Sequence, residues 1–402
     1  MSAAPGRAPW PTAVWALLAG TFITRAAGFV YPFLAWHLSD RGLAGTWLTV
    51  VLALFGAGWL AGQVVGGASA DRFGRRATLT GSMLLAAVVF PVLAQAHTLP
   101  ALAAAAFVSG IVYDAARPVV SAVIADTVED EPTRARIAGW RYFAVNIGVA
   151  ITGALGGTLA ESVGLPVLFW CNGLVCAGFG VVAWLVMPAE TLQTRTARHG
   201  YRSVLADPRL VLLWLASLCG FIPMSALYAV LPQMMAQDHL PAAAYGWAQV
   251  TAAIAVLVLS PLFNPWLARR AQSKHPMVGP LGASCLILGL GMGSAGLVST
   301  PAGYAAAVVA SVPGEIIATV AAADIVNRIA PAHARGRYAG IWGTSLAASV
   351  LAAPLLAGWA LEAGGHHLVG LTLAGCGLIG AGLCLPLTAL ARRHAAALRC
   401  AS

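Results

Sequence analysis

Apolar runs of about 20 residues, each closed by a short polar interval, repeat from one end of the 402-residue chain to the other. Twenty residues of helix rise about 30 Å, the thickness of a bilayer's hydrocarbon core, so each run predicts a membrane-spanning helix. Six are predicted at about 12–38, 44–69, 77–97, 100–126, 137–161 and 164–187. Six more follow at about 210–236, 243–267, 277–298, 302–327, 337–361 and 367–391. The pattern predicts an all-α polytopic membrane protein of 12 transmembrane helices in two six-helix halves. An N-terminal bundle covers 1–187, a cytoplasmic central linker 188–208, and a C-terminal bundle with a short cytoplasmic tail 209–402.

Composition supports this reading. Hydrophobic residues make up 59% of the chain and charged ones 9%, with a mean hydropathy of +0.80. The net charge of +9 does not point to nucleic acid, because its arginines and the single lysine, Lys274, collect in alternate loops. Arg72, Arg75 and Arg76 follow the second span, Arg134 and Arg136 the fourth, Arg269 and Arg270 the eighth, and Arg335 and Arg337 the tenth. The opposite loops hold only Arg41. By the positive-inside rule both termini and the central segment are expected in the cytoplasm. The first span reaches about Trp36, too long for a signal-peptide core. The seven cysteines show no paired loop spacing and read as small buried hydrophobes. With no phosphate-binding Gly-Lys-Ser/Thr loop and no nucleophile–base arrangement, neither ATP use nor catalysis is expected. No cofactor or metal is expected, and the expected setting is the lipid bilayer, for a monomer in a bacterial cytoplasmic membrane.

Four ionisable residues fall where loops cannot explain them: Arg25 in span 1, Asp114 and Arg117 in span 4, and Glu315 in span 10. A charge at the bilayer centre costs at least about 2.5–3.5 kcal/mol on insertion scales, so each should face a partner or a wet cavity. Asp114 and Arg117 share a helix face and can pair within one helix, with Pro118 kinking the span after them. That pair either locks span 4 or serves the site. Arg25 is either structural, bonded to carbonyls or to an acid on a neighbouring span, or a cavity cation. Glu315 has no basic residue within reach on its own helix, the next being Arg328. A lone carboxyl in hydrocarbon loses its hydration as an anion, so it gains by taking up a proton. Glu315 is therefore the leading candidate proton or cation carrier, against a protonated structural acid. Asp126 and Asp324 lie nearer the cytoplasmic helix ends and read first as salt-bridge partners of Arg134, Arg136, Arg141, Arg335 or Arg337. His366 and His367 read as exposed loop-tip residues.

The loop Gly67-Ala68-Ser69-Ala70-Asp71-Arg72-Phe73-Gly74-Arg75-Arg76 adds a motif. Its spacing G-x-x-x-D-R-x-G-R-R resembles the signature loop between the second and third helices of the major facilitator superfamily. Gly67 would let a neighbouring helix come close, Gly74 permits a sharp turn, and Asp71 can pair with arginine or cap a helix. In the second half, the run Pro261 to Arg270 occupies the same register but keeps only Arg269-Arg270. The stretches Arg117-Pro118 to Asp126, Asn146-Ile147-Gly148, Gly314-Glu315 and Ala334 to Tyr338 look like spans 4, 5 and 10 of drug:proton antiporters in this superfamily. The resemblance implies two halves around a cavity, and a conformational latch at Gly67, Asp71, Arg72, Gly74, Arg75 and Arg76. It places coupling on Asp126 and Glu315, and implies export of small amphipathic, cationic or neutral compounds, with a small molecule and protons as partners and a proton gradient as the energy source. The alternative is an organic anion or metabolite bound by Arg25 and Arg117, in either direction. Exporters usually carry G-x-x-x-G-P-x-x-G-G in span 5; here Gly148, Gly156 and Gly157 keep the outer glycines for helix packing, while Thr152-Gly153 replaces the Gly-Pro pair. That departure loosens the export direction more than the fold.

Overall fold

The computed structural model describes residues 12–128, 130–187, 202–273, 275–331 and 334–400, and all its regular structure there is helical. Its N-terminal helices are α1 (Thr12–Ala26), α2 (Val30–Asp40), α3 (Gly45–Phe73), α4 (Arg75–Gln95), α5 (Leu99–Tyr113), α6 (Ala116–Thr127), α7 (Glu131–Ser162) and α8 (Leu165–Val186). After residue 201 follow α9 (Arg202–Leu205), α10 (Pro208–Ala229), α11 (Leu231–Gln237), α12 (Ala242–Ala271), α13 (Val278–Gly293), α14 (Pro301–Ile329) and α15 (Arg335–Cys400). Most of the expected linker, 188–201, lies outside the described residues.

Ten of the described segments are long and apolar enough to cross a membrane. Two features explain the difference from the expected twelve. The fourth span is interrupted, as α5 and α6, and neither piece alone is long enough. The last two spans run together as α15, with a non-helical break at Gly364 and Gly365. Gly365 has φ of 62°, the left-handed region that favours glycine, and there the chain reverses.

The first span is also broken, at Ala27–Phe29 between α1 and α2, where a continuous helix was expected. The broken ends are met by other helices. The Thr152 hydroxyl on α7 donates to the Arg25 carbonyl at 2.5 Å, and the Val30 amide donates to Asn172 Oδ1 on α8 at 3.2 Å. Backbone groups in hydrocarbon must be satisfied internally, so the break survives because α7 and α8 supply the missing partners. Thr152 thus carries a structural bond in the register where the exporters' pattern has glycine.

The N-terminal and C-terminal helices meet along two seams, α7 against α12 and α3 against α15. Glycines set both. A Cβ at Gly157 would lie 2.8 Å from Ala243 Cα, and one at Gly153 would lie 2.6 Å from the Gly246 carbonyl. On the other seam a Cβ at Gly56 would lie 2.5 Å from the Leu351 amide. Gly148 and Gly156 face the first span instead, against Arg25 and against Phe29 and Phe33.

Both seams close at the end opposite the arginine loops, and each carries one acid there. Glu161, at the end of α7, accepts from the Ala243 amide in the first turn of α12 at 3.1 Å. Glu362 on α15 accepts from the Thr46 hydroxyl at the start of α3 at 3.2 Å. A carboxylate at a helix N-terminus meets free amides and the positive end of the helix dipole. At the arginine-rich end the helices part. A Cβ at Gly67, Gly139, Gly340 or Gly343 would meet nothing within 4 Å. The close helix approach expected at Gly67 is therefore absent in this conformation, because the mouth beside it is open.

With the native cysteines replaced by alanine, Glu161→Cys and Ala243→Cys should join readily with a short bifunctional maleimide. Adding Gly246→Val, whose side chain would strike the Gly153 carbonyl, should cut the cross-linked fraction severalfold on a denaturing gel. An unchanged fraction would mean that this seam does not close through its glycines.

Candidate functional site

Asp114 sits at the interruption of the fourth span, between the end of α5 and the start of α6. Pro118 has no amide proton to give to the Asp114 carbonyl four residues earlier; Arg117 N bonds that carbonyl instead, at 3.1 Å. The kink expected after the pair thus falls at Asp114 itself. The carboxylate is 2% exposed and fully engaged. Arg25 Nη2 donates to Oδ1 at 2.8 Å, Trp59 Nε1 donates to Oδ2 at 3.2 Å, and Arg117 also pairs with Oδ2. Arg25 Nη1 further donates to the Tyr113 hydroxyl at 3.1 Å. Of the readings open for Arg25, the structure shows the acid on a neighbouring span. The Asp114–Arg117 pair forms across the interruption, with Arg25 as a third member.

Aromatic rings line this cluster toward the other helix group. Tyr31 stacks on Phe55 with centroids 5.2 Å apart and leans on Tyr228 of α10 at 4.8 Å. Trp59 and Tyr113 meet edge to face at 5.2 Å. The Tyr31–Tyr228 contact joins the two helix groups near the level of Asp114.

Glu315 lies on α14, which has the same length as the stretch from Leu99 to Thr127 that forms the fourth span. Asp114 is the sixteenth residue of that stretch and Glu315 the fifteenth of α14, so the two acids hold nearly the same depth in opposite groups. Their surroundings differ. No hydrogen bond or ion pair reaches the Glu315 carboxylate from any described residue, and the side chain is only partly buried. Its electrostatic neighbours are Tyr142 on α7 and Tyr228 on α10. It therefore faces the seam between the groups, without a counter-ion among the described residues.

The arginine loop gives a mixed picture. Gly74 has φ of 85°, as the sharp turn requires. Arg75 donates to the Ala122 carbonyl on α6 at 3.1 Å. The Arg72 guanidinium lies 5.3 Å from the Phe73 ring centre and that of Arg76 4.0 Å from that of Trp184. The side chains of Asp71 and Asp126 lie outside the described ones. Asp324 pairs with Arg328 at 2.8 Å, one turn along its own helix. It also accepts from the Met277 amide at 3.1 Å. Asp207, which caps α10, accepts from Arg209 and from Tyr338 at 2.8 Å. Burial would raise its carboxyl, but these bonds outweigh that and hold it below the usual carboxylate range.

Three features escaped the sequence reading. Arg141 on α7 bonds the Ser121 hydroxyl on α6 at 2.7 Å, and its electrostatic neighbours are Arg117, Asp114 and Arg25. The sequence offered Arg141 only as a partner for Asp126 or Asp324 near a helix end, with no sign that it turns toward Asp114. Glu161 and Glu362, which nothing in the sequence singles out, each bond the start of the helix opposite. His366, expected at an exposed tip, is tied to Gln237 at 3.2 Å and lies 3.8 Å from Asp238, which accepts from Tyr304 at 2.6 Å.

Membrane-length helices, two glycine-set seams and charged groups facing the cleft between them define a polytopic membrane protein of transporter architecture. The chain belongs to the Major Facilitator Superfamily, whose family profile matches residues 16–354 and again 213–399. Multidrug resistance protein MdtH of Salmonella paratyphi B is 27% identical over 348 residues, which cover 83% of each chain. MdtH of Salmonella newport shows the same identity and coverage. Among solved structures, the peptide transporter POT in complex with sulfate superposes with a TM-score of 0.76 over 95% of each chain, at 16% identity. A mutant of POT in complex with alafosfalin gives a TM-score of 0.75 over 95% of this chain and 96% of that one, also at 16% identity. At that identity the likeness concerns the fold alone.

Removing the acid from a buried ion cluster leaves its cations uncompensated. Asp114→Asn should therefore destabilise the protein by about 3–5 kcal/mol, and Thr152→Val by about 1 kcal/mol through the lost bond to Arg25. Thermal denaturation in detergent measures both. An Asp114→Asn protein that melts with the parent would remove Asp114 as the organising acid of this group.

Proposed function

We propose that this protein is a proton-coupled secondary transporter that exports small amphipathic compounds across a bacterial cytoplasmic membrane by alternating access. The observation that carries the reading is the bare carboxyl of Glu315. At nearly matched depths, Asp114 is held by Arg25, Arg117 and Trp59, while Glu315 faces the seam without a counter-ion among the described residues. A carboxyl in that position can bind either a proton or a cationic group, and the two compete for one charge. Multidrug relatives at 27% identity support the efflux direction.

Assigning the arginine-rich end to the cytoplasm follows the positive-inside rule. The parted mouth then opens to the cytoplasm, and the closed seams at Glu161 and Glu362 face outward. A substrate enters from inside, the two helix groups rock about the central contact, and the outward mouth opens. Protonation of Glu315 from outside neutralises the acid and releases a held cationic group. Loss of that proton to the cytoplasm resets the site. The loop from Gly67 to Arg76 serves as the latch that biases the two states, with Arg75 already bonded to α6.

Arg25 is the weaker choice as an anion-binding group for a metabolite carrier, since both of its terminal nitrogens are committed to Asp114 and Tyr113. The test is ethidium movement into inverted vesicles under an imposed proton gradient. Gradient-driven uptake is expected in the parent and should fall to the level of empty vesicles in Glu315→Gln expressed to the same amount. Parental uptake by Glu315→Gln would sink the proposed coupling role.

A further inference from the structure

Among the described residues, the wall of the cleft formed by the N-terminal helices gathers three arginines around one acid. Arg25, Arg117 and Arg141 gather around the single carboxylate of Asp114. Arg25 commits both terminal nitrogens, to Tyr113 and Asp114, while Arg117 pairs with that acid through Nη2. Arg141 bonds a neutral hydroxyl, Ser121 Oγ, at 2.7 Å, and no described acid lies within bonding distance of it. Three guanidiniums therefore share one described carboxylate, in a part of the protein where unmatched charge is costly.

Arg117 keeps 37% of its side chain exposed and Arg25 keeps 25%, so this wall is open to the cleft. Along α6, Arg117 and Ser121 lie successively closer to the arginine-rich mouth than Asp114 does. The cations thus lead from mid-depth toward the open end. The facing wall has the opposite sign, since Glu315 has no described counter-ion. Between the two walls lie tyrosines. Tyr228 has both Arg25 and Glu315 among its electrostatic neighbours, and Tyr142, next in sequence to Arg141, has Glu315 among its own.

We propose that the preferred substrate is amphoteric, with a carboxylate held by Arg117 and Arg141 and a cationic or basic group received by Glu315. This rests on the proton-coupled efflux reading and narrows its substrate class. A purely cationic compound would meet Glu315 but face the arginine surplus. A purely anionic one would meet the arginines but face Glu315. A compound with both groups satisfies each wall and remains near neutral overall. Arginine suits the first task because its planar fork can bind a carboxylate with two parallel hydrogen bonds. The tyrosine-lined interval between the walls fits an apolar or aromatic body joining the two charged groups.

The test compares a rhodamine bearing a free benzoate with its methyl ester, a pair that differs only in that carboxylate. Both are offered to inverted vesicles under the same proton gradient. The acid form should be carried faster than the ester by at least about tenfold, the scale of one charge-assisted contact. Arg141→Gln or Arg117→Gln should bring the ratio to about one, and Arg141→Lys should restore part of it. An ester carried as fast as the acid by the parent protein, or a ratio that survives both glutamine substitutions, overturns the amphoteric assignment. Ester transport alone, gradient-driven and lost in Glu315→Gln, overturns it while leaving the efflux reading in place. If neither dye moves in correctly inserted protein, both readings fall. The parental comparison needs no substitution, so a variant that does not fold leaves the test intact.

Discussion

Charge placed in a bilayer has to be met by opposite charge, by hydrogen bonds or by water, and the interior of this protein is arranged around that requirement. Asp114 meets it by drawing in Arg25 from the first span, Arg117 from across its own interruption, and the indole of Trp59. Those contacts tie the first, second and fourth spans to one point, so the N-terminal helices have a fixed ionic centre. Glu315, at nearly the same depth in the other group, meets no counter-ion among the described residues. One acid is thus neutralised within the structure, and the other has its charge unmatched by any described residue.

The seams between the helix groups follow from backbone proximity more than from side-chain size. Gly153 and Gly157 let α7 approach Gly246 and Ala243 of α12, and Gly56 does the same for α3 against α15. Where only glycine fits, dispersion contacts between backbones replace the hydrophobic drive that lipid removes. Each seam then ends in one exposed acid bonded to the start of the helix opposite, Glu161 at α12 and Glu362 at α3. Exposed bonds of this kind are worth about 1 kcal/mol or less, which suits a closure that has to open again.

Membership of the Major Facilitator Superfamily sets the architecture and leaves the cargo to the residues of the cleft. The multidrug relatives and the peptide transporter structures share the fold with different cargo in their names, as expected when function resides in a few side chains on a common frame. In this chain the cleft carries a cluster of arginines around one acid, an acid opposite with no counter-ion among the described residues, and tyrosines between them.

Much of the fold was legible in the sequence, because each span had to be apolar over a length set by the bilayer and the arginines marked alternate loops. Glu315 stood out for the same reason: a lone acid in such a run has no cation within reach on its own helix. The breaks in the first and fourth spans were hidden, or placed several residues away, because they depend on partners from other helices. Thr152 and Asn172 support one, and the amide absent at Pro118 acts four residues earlier to form the other. That Arg25 pairs with Asp114, that Arg141 turns toward the same cluster, and that Glu161 and Glu362 close the seams are facts of tertiary structure. Hydropathy sets how deep a residue lies, because depth depends on the residue and its neighbours along one helix. Which charges meet depends on the rotation of helices distant in sequence, and packing alone decides that.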